Sequence, residues 1–313
     1  MRKLTINFES LLNAQDVEVL HEFFPMQTLV SFDLETSGFS PHLHEILEIG
    51  ACAIESYQAP RVTHFHELIK NTRPIAAANT SVHGLSAQDL ESSADVGTVL
   101  QAWKMELNQL LLAPSLLAHN AIFDLGHVFA HGHKANIFCF PDGAPVYDSC
   151  ILARKLFKKK HTLMANAKLS TLAQAFDVEL TQHHALSDAW ACALVFLRML
   201  ALAKKEQNIS SAEILSLAYL CNVEDLKRRE IERQSEDPNP IVQNLLTAIQ
   251  EGSVVEIIYQ SGSKGKNFRP IRPISIVPSL NGMILFADCL LDQTGKHFQI
   301  QKISAVQTSE QAP

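Results

Sequence analysis

Phe32-Asp-Leu-Glu-Thr-Ser-Gly38 is the stretch on which the reading of this 313-residue chain turns. With Thr28-Leu-Val-Ser before it, the run is apolar and β-prone, and Thr36-Ser37-Gly38 closes it, so Thr28 to Leu34 reads as a strand. Alternation along a strand sends Asp33 and Glu35 to one face. Two carboxylates on one face repel unless a cation sits between them. The same pair also suits the polar face of an exposed edge strand, so the motif needs company before it means chemistry.

Company comes further along the chain. Glu45 to Ile54 is a second strand, Met105 to Leu112 reads as helix, Ser115 to Ala118 as a short strand, and Asn120 as the cap of a helix running to Gly132. Asp124 falls in the first turn of that helix, where the macrodipole favours an acid in any case. Trp190, Ala193, Leu194, Leu197 and Ala201 recur at helical spacing, which makes Leu186 to Lys204 a core helix. It opens on His183-His-Ala-Leu-Ser-Asp188, an acid in its first turn with a histidine five residues earlier. The first 200 residues are therefore α/β. Beyond them, Ser210-Ser-Ala-Glu213 is a capping box and Asn222-Val-Glu-Asp opens a second helical candidate. Ser235-Glu-Asp-Pro-Asn-Pro240 reads as a linker, and Ile241 to Glu251 as one more helix. The texture then turns to strand at 254–259, 273–277, 283–290 and 297–306, with Asn281-Gly282 and Thr294-Gly295 as turns.

The composition narrows the function classes. The chain is 47% hydrophobic and 19% charged, with 26 Lys+Arg against 33 Asp+Glu and a net charge of −7. That is a globular composition of roughly two-domain size. The longest near-apolar stretch, Ala189 to Ala203, is short of the roughly 20 residues of a membrane span and reads as a buried helix, so no membrane role is expected. The N-terminus turns polar before a secretory core forms, and the six cysteines lie far apart without a CxxC pair, so a cytoplasmic, reducing setting is expected. Net acidity at first argues against nucleic acid. The charge is uneven, however: residues 1–150 carry 7 basic and 17 acidic side chains, and 151–200 carry 7 basic and 3 acidic. Arg154, Lys155, Lys158, Lys159, Lys160 and Lys168 follow one another with no acid between them, either as a solvated surface or as a phosphate-facing patch.

Taken in order, Phe32-Asp-Leu-Glu-Thr-Ser-Gly38, Glu48-Ile-Gly-Ala51, Val82-His-Gly-Leu85, Ala118-His-Asn-Ala-Ile-Phe-Asp124, Asp148 before Leu152-Ala-Arg154, and His183-His-Ala-Leu-Ser-Asp-Ala189 resemble the histidine-type DEDD (DnaQ-like) exonucleases. The resemblance spans residues 27–203. It implies an RNase H-like α/β fold with a mixed sheet, cutting nucleic acid from the 3′ end to 5′-mononucleotides, with DNA favoured over RNA. It also implies that Asp33, Glu35, Asp124 and Asp188 hold two Mg²⁺, with Mn²⁺ able to substitute, and that His183 is the general base. Spacing within the motif selects His183 over His184. Thr36, Ser37, His83 and Asn120 are implied near substrate, with structural hydrogen bonds an equal reading for His83 and His119. The chemistry suits the residue types, because Mg²⁺ takes hard oxygen ligands and two such ions can stabilise the attacking and leaving oxygens of an in-line displacement. Two divalent ions would also bring the net charge from −7 to −3, turning the acidity into a local, metal-dependent mode of binding.

A second resemblance covers residues 240–308, to the WYL domain, a small Sm-like β-barrel. It rests on Val254-Val-Glu-Ile-Ile-Tyr259, Arg269-Pro-Ile-Arg-Pro-Ile-Ser-Ile276, Gly282-Met-Ile-Leu-Phe-Ala-Asp-Cys289 and Lys296-His-Phe-Gln-Ile-Gln-Lys-Ile303. The naming triplet is replaced by Met283-Ile284-Leu285. It implies Arg269, Arg272, Lys296 and Lys302 as ligand contacts, and lysine lacks the bidentate phosphate geometry of arginine. The expected organisation is a nuclease domain over 1–203 with a helical extension at 1–26, a helical connector and linker at 204–239, and the WYL-like domain at 240–313. Expected partners are single-stranded nucleic acid or 3′ ends, with polymerase or repair proteins possible. The competing functions are a regulatory protein that senses nucleic acid or nucleotide through the tail, and a polymerase-associated proofreading subunit.

Overall fold

The computed structural model describes residues 12–41, 43–157, 166–206, 209–228, 239–260, 267–279 and 282–308. Its first sheet has six strands, β1 (Gln27–Thr36), β2 (Ile46–Glu55), β3 (Arg61–Leu68), β4 (Ala113–Ala118), β5 (Pro145–Asp148) and β6 (Tyr219–Asn222), in the order β3-β2-β1-β4-β5-β6. β1, β4 and β5 run parallel, and β2, β3 and β6 are antiparallel to their neighbours, so the sheet is mixed as expected. Every residue of β2 is buried, as a strand covered on both faces must be.

Helix α1 (Ala14–Phe23) and the 22-residue α8 (Ala185–Glu206) cover one face. Helices α4 (Val96–Asn108) and α5 (Ala121–Ala135) cover the other. There Phe32, Trp103 and Phe140 meet with ring centroids 5.0–5.6 Å apart, an aromatic core directly beneath the carboxylate strand. Among the described residues α8 is the one helix long and apolar enough to cross a membrane, and it is packed inside the core. A partly buried ion pair ties it to α1, Arg198 Nη2 to Asp16 Oδ2 at 3.3 Å.

Three elements depart from the sequence reading. The helix expected at 105–112 begins nine residues earlier, at Val96, because Asp95 caps it by accepting from the Thr98 N–H. β3 was not anticipated, since His64, His66 and Glu67 give it the polar alternation of a solvent-facing edge. β6 follows α9 (Ser211–Ala218), whose capping box forms as read, and lies on β5 within the stretch expected to be purely helical. The second helical candidate occupies 223–228.

The tail is helix α10 (Pro240–Glu251) on a five-stranded antiparallel sheet of β7 (Val255–Tyr259), β8 (Phe268–Ser279), β9 (Gly282–Cys289), β10 (Thr294–Gln299) and β11 (Ile303–Thr308), ordered β10-β9-β8-β7-β11. Two expectations are corrected here. The single strand at 297–306 is two strands, parted by a 3-10 turn at Ile300–Lys302 that carries the chain to the far side of the sheet, where β11 pairs with β7. The closed barrel is an open sheet, because closure needs hydrogen bonds between the edge strands and β10 and β11 make none. Leu245, Ala248, Ile257, Ile271, Leu285 and Phe298 form its separate core.

One glycine governs how the two sides of the first domain meet. A Cβ on Gly50 of β2 would lie 2.1 Å from the Leu186 amide nitrogen, so the first turn of α8 rests directly on bare sheet backbone. Gly50→Ala is therefore expected to lower stability by about 1–3 kcal/mol, as overpacking does. Urea unfolding checks this, and an unchanged midpoint would show that α8 can slide without cost.

Candidate metal and nucleic-acid site

The site lies where the parallel strands end. β1 runs past the last residue pairing it to β4, Ser31 opposite Leu117, and its free end carries Asp33 and Glu35. Ligand sites of α/β sheets characteristically lie beyond the carboxyl ends of strands. Asp33 stands opposite Gly50 and Glu35 opposite Glu48 in the β1–β2 register, so all point to the face on which α8 begins. A register shift between Glu35 and Thr36 then bends the strand away.

Three of the predicted residues converge. Glu35, His183 and Asp188 offer ligand atoms within 4.8 Å of one another. His183 sits at φ 60°, an uncommon backbone state for a side-chain-bearing residue, and its N–H donates to Asp188 Oδ2 at 3.0 Å. Its ring is about half exposed, with Nδ1 4.0 Å from Glu35 Oε1. Asp33 and Asp124 are not in that close set, but their charges reach it. Burial holds the Asp33 carboxyl well above its ordinary range, and the charges of Asp188, Asp124, Glu35 and Glu48 push it further. Burial raises Asp124 as well, partly offset by backbone N–H groups including that of Leu34. Asp188 is pushed up to about 7, first by burial, with the Glu48 charge adding to it and the His183 N–H opposing it. Buried carboxylates that cannot all ionise together, all hard oxygen donors, are the environment a divalent cation relieves.

The remaining predicted residues have mostly structural partners. Thr36 Oγ1 donates to the Gly38 carbonyl at 2.9 Å, and Ser37 Oγ accepts from the Glu45 N–H at 2.9 Å, so both hydroxyls shape their own loop. His83 Nδ1 accepts from the Leu85 N–H. His119 hydrogen-bonds Ser149 Oγ at 2.8 Å, and burial lowers it to about 4. Asn120 occupies the cap position of α5 in left-handed conformation, without a side-chain capping bond. Asp148 caps instead. Its carboxylate accepts from the N–H groups of Asn120 and Ala121, which start α5, and of Cys150 and Ile151, which start α6 (Ser149–Phe157). Of the cationic run, Lys155 donates to the Leu217 carbonyl, and Lys158 to Lys160 lie outside the described residues.

Two features escaped the sequence reading. Phe39, 60% exposed just past the carboxylate loop, stands edge-on to Phe123 at 6.3 Å, and Phe123 immediately precedes Asp124. The Phe32 to Gly38 motif stops one residue short of it. The other is a Glu48–His66–His184 group, invisible without β3. In the tail, Arg269 and Lys296 both turn to Asp292, and Arg272 is exposed.

The model of the exonuclease family (RNase T type) matches residues 30–196. The chain belongs to the exonuclease family. Its relatives include the PolC-type DNA polymerase III of Bacillus subtilis, 30% identical over 181 residues, which are 58% of this chain and 12% of that protein. The PolC-type polymerase of Caldanaerobacter subterraneus subsp. tengcongensis is 29% identical over 264 residues, 83% of this chain and 17% of the relative. This exonuclease chain thus spans under a fifth of the length of those polymerases. Among solved structures, E. coli exonuclease I in complex with a dA16 oligonucleotide shares the fold, with a TM-score of 0.50 at 15% identity over 83% of this chain and 55% of the other.

The raised carboxyls set a pH dependence. A group whose folded pKa exceeds its unfolded value favours folding while protonated, so without a bound cation the protein loses this stability as pH rises from the ordinary carboxyl range through about 7. Divalent cations bind the ionised form. The rise in Tm caused by Mn²⁺ should therefore be larger at about pH 8 than at about pH 5. Thermal melts at both pH values test this, and equal shifts would contradict it.

Proposed function

We propose that the first domain is a 3′–5′ exonuclease that hydrolyses phosphodiester bonds of single-stranded or frayed nucleic acid, preferring DNA, to 5′-mononucleotides. The observation that carries the reading is the convergence of Glu35, His183 and Asp188 beside the half-buried Asp33 and the buried Asp124. Asp33, Glu35, Asp124 and Asp188 would hold two divalent ions, Mg²⁺ or Mn²⁺. When bound, these neutralise charge on the phosphate and on the departing oxygen.

The side chains divide the remaining work. The ring of His183 is about half exposed next to Glu35, open to a water approaching the phosphorus, whereas His184 is buried against Glu48. As the water oxygen bonds to phosphorus, His183 accepts its proton, the bond from phosphorus to the 3′ oxygen breaks, and the departing oxygen takes a proton from solvent, so the shortened strand ends in a 3′ hydroxyl. The hydrogen bond from His183 N–H to Asp188 ties the base to the carboxylate it serves. Phe39 supplies an aromatic face for a terminal base, a contact worth roughly 1–3 kcal/mol and tolerant of sequence. Thr36 and Ser37 hold the loop between Glu35 and Phe39, Asn120 stands exposed at the head of α5, and His83 supports the neighbouring turn.

The tail is proposed to be a WYL-like module that grips or senses the same substrate. What supports this is a helix followed by five antiparallel strands with the last folded back beside the first, and the exposed Arg272. Lys302 follows on the 3-10 turn, while Arg269 and Lys296 would exchange Asp292 for an anionic ligand. A role in DNA repair or nucleic-acid turnover fits this arrangement. The PolC-type relatives favour a second reading, association with a replicative polymerase.

The test is degradation of 5′-labelled single-stranded DNA, duplex DNA and RNA with Mg²⁺. Laddering from the 3′ end is expected, fastest on single-stranded DNA and abolished in Asp33→Ala; intact label on all three substrates would sink the reading. His183→Ala should lose about 100-fold or more in kcat, as loss of a general base does, while His184→Ala retains turnover, and the reverse order would reassign the base. Phe39→Ala should raise KM for single strands about tenfold with kcat little changed, consistent with one lost stacking contact. An unchanged KM would remove Phe39 from the substrate path.

A further inference from the structure

A second group of metal-ligating side chains lies beside the carboxylate site without belonging to it. Glu48 on β2, His66 on β3 and His184 at the head of α8 offer ligand atoms within 4.8 Å of one another. Glu48 Oε1 is 2.6 Å from His66 Nε2 and 3.5 Å from His184 Nδ1, and the two imidazoles stack with centroids 4.9 Å apart. The Glu48 and His184 side chains are 1% and 3% exposed, while that of His66 is 22% exposed and opens the group to solvent. Glu48 Oε2 is buried and has no hydrogen-bond partner among the described residues. A buried carboxylate oxygen without a donor is costly, and a cation would satisfy it.

We propose that Glu48, His66 and His184 form a distinct transition-metal site, of the Zn²⁺ class, which clamps the head of α8 to the β2–β3 edge. Two imidazole nitrogens and one carboxylate oxygen, with an open position toward solvent, are the ligand set of three-residue zinc sites. Mg²⁺ prefers oxygen alone, so the two neighbouring groups select different ions by ligand type. Glu48 and His66 are already within hydrogen-bond distance at 2.6 Å, and an ion bound between them would replace that hydrogen bond. The three ligands come from β2, β3 and the residue before α8, which lie together where Gly50 admits the helix, so the ion would tie those segments to one another.

The proposal stands apart from the nuclease reading, and the test separates them. In the full chain carrying Asp33→Asn and Asp124→Asn, which neutralise the carboxylate site, Co²⁺ is titrated in saturating Mg²⁺ and followed by its visible ligand-field bands. One equivalent is expected to give the intense bands of a four- or five-coordinate ion, and Zn²⁺ should displace it. Adding His66→Ala, at a partly exposed edge position, should weaken Co²⁺ binding about tenfold or more, while His133→Ala, far along α5, should leave it intact. The same titration on the unsubstituted chain in saturating Mg²⁺ serves if the Asp variants fail to fold. Absence of the bands, or bands that survive His66→Ala, would overturn the assignment whatever the nuclease assay shows.

Discussion

The approach of α8 to the bare backbone of β2 at Gly50 is the contact on which the site depends. The carboxylates of β1 are fixed by sheet register, but His183, His184 and Asp188 belong to another part of the chain and reach the sheet only as closely as α8 does. A side chain at position 50 would hold the helix off by the width of a methyl group, and cores pack too densely to absorb that freely. Ala185 and Ala189, small, fully buried and one turn apart on the same face, keep that side of the helix narrow. The apolar length of α8 therefore serves to deliver one histidine and one acid to a fixed place.

The same closeness has an electrostatic cost. Asp33, Asp124 and Asp188 are driven up by burial, and Glu48 adds to the repulsion felt by Asp33 and Asp188. Aliphatic side chains at these positions would give a more stable fold. Asp148 is a buried acid used differently: burial raises it as well, but four backbone N–H groups at the heads of α5 and α6 oppose that rise. Buried acids in neighbouring segments thus serve different ends: Asp148 anchors two helices, while Asp124 lies among the carboxylates of the candidate site.

β1 and the long core helix were legible from local pattern, alternation in the one and helical periodicity in the other, whereas the mixed sheet and the grouping of Glu35 with His183 and Asp188 were expected only through the family resemblance of the motifs. What escaped was what depends on partners distant in sequence. β3 shows polar alternation and becomes a strand only by pairing with β2, and with it His66 comes to Glu48. Asn120 has the right residue type for a cap, but its side chain makes no capping bond, and the Asp148 carboxylate, distant in sequence, takes the N–H groups of Asn120 and Ala121. The tail was read correctly as β-rich, yet the 3-10 turn that divides its last strands lies within the mixed polar and apolar run His297-Phe-Gln-Ile-Gln-Lys-Ile303, with no glycine or proline to mark it.

β6 carries a consequence for how the protein is made. The sheet that presents the carboxylates gains its last strand only at Tyr219–Asn222, after all four acids and both histidines have been synthesised. Until those residues emerge, β5 is an uncovered edge with unpaired backbone groups, a template for pairing with another chain. On the ribosome, the nascent chain would thus pass through a stage that is chemically complete but adhesive, and α9 with its capping box, formed just before β6, would shorten that stage by bringing the closing strand into line.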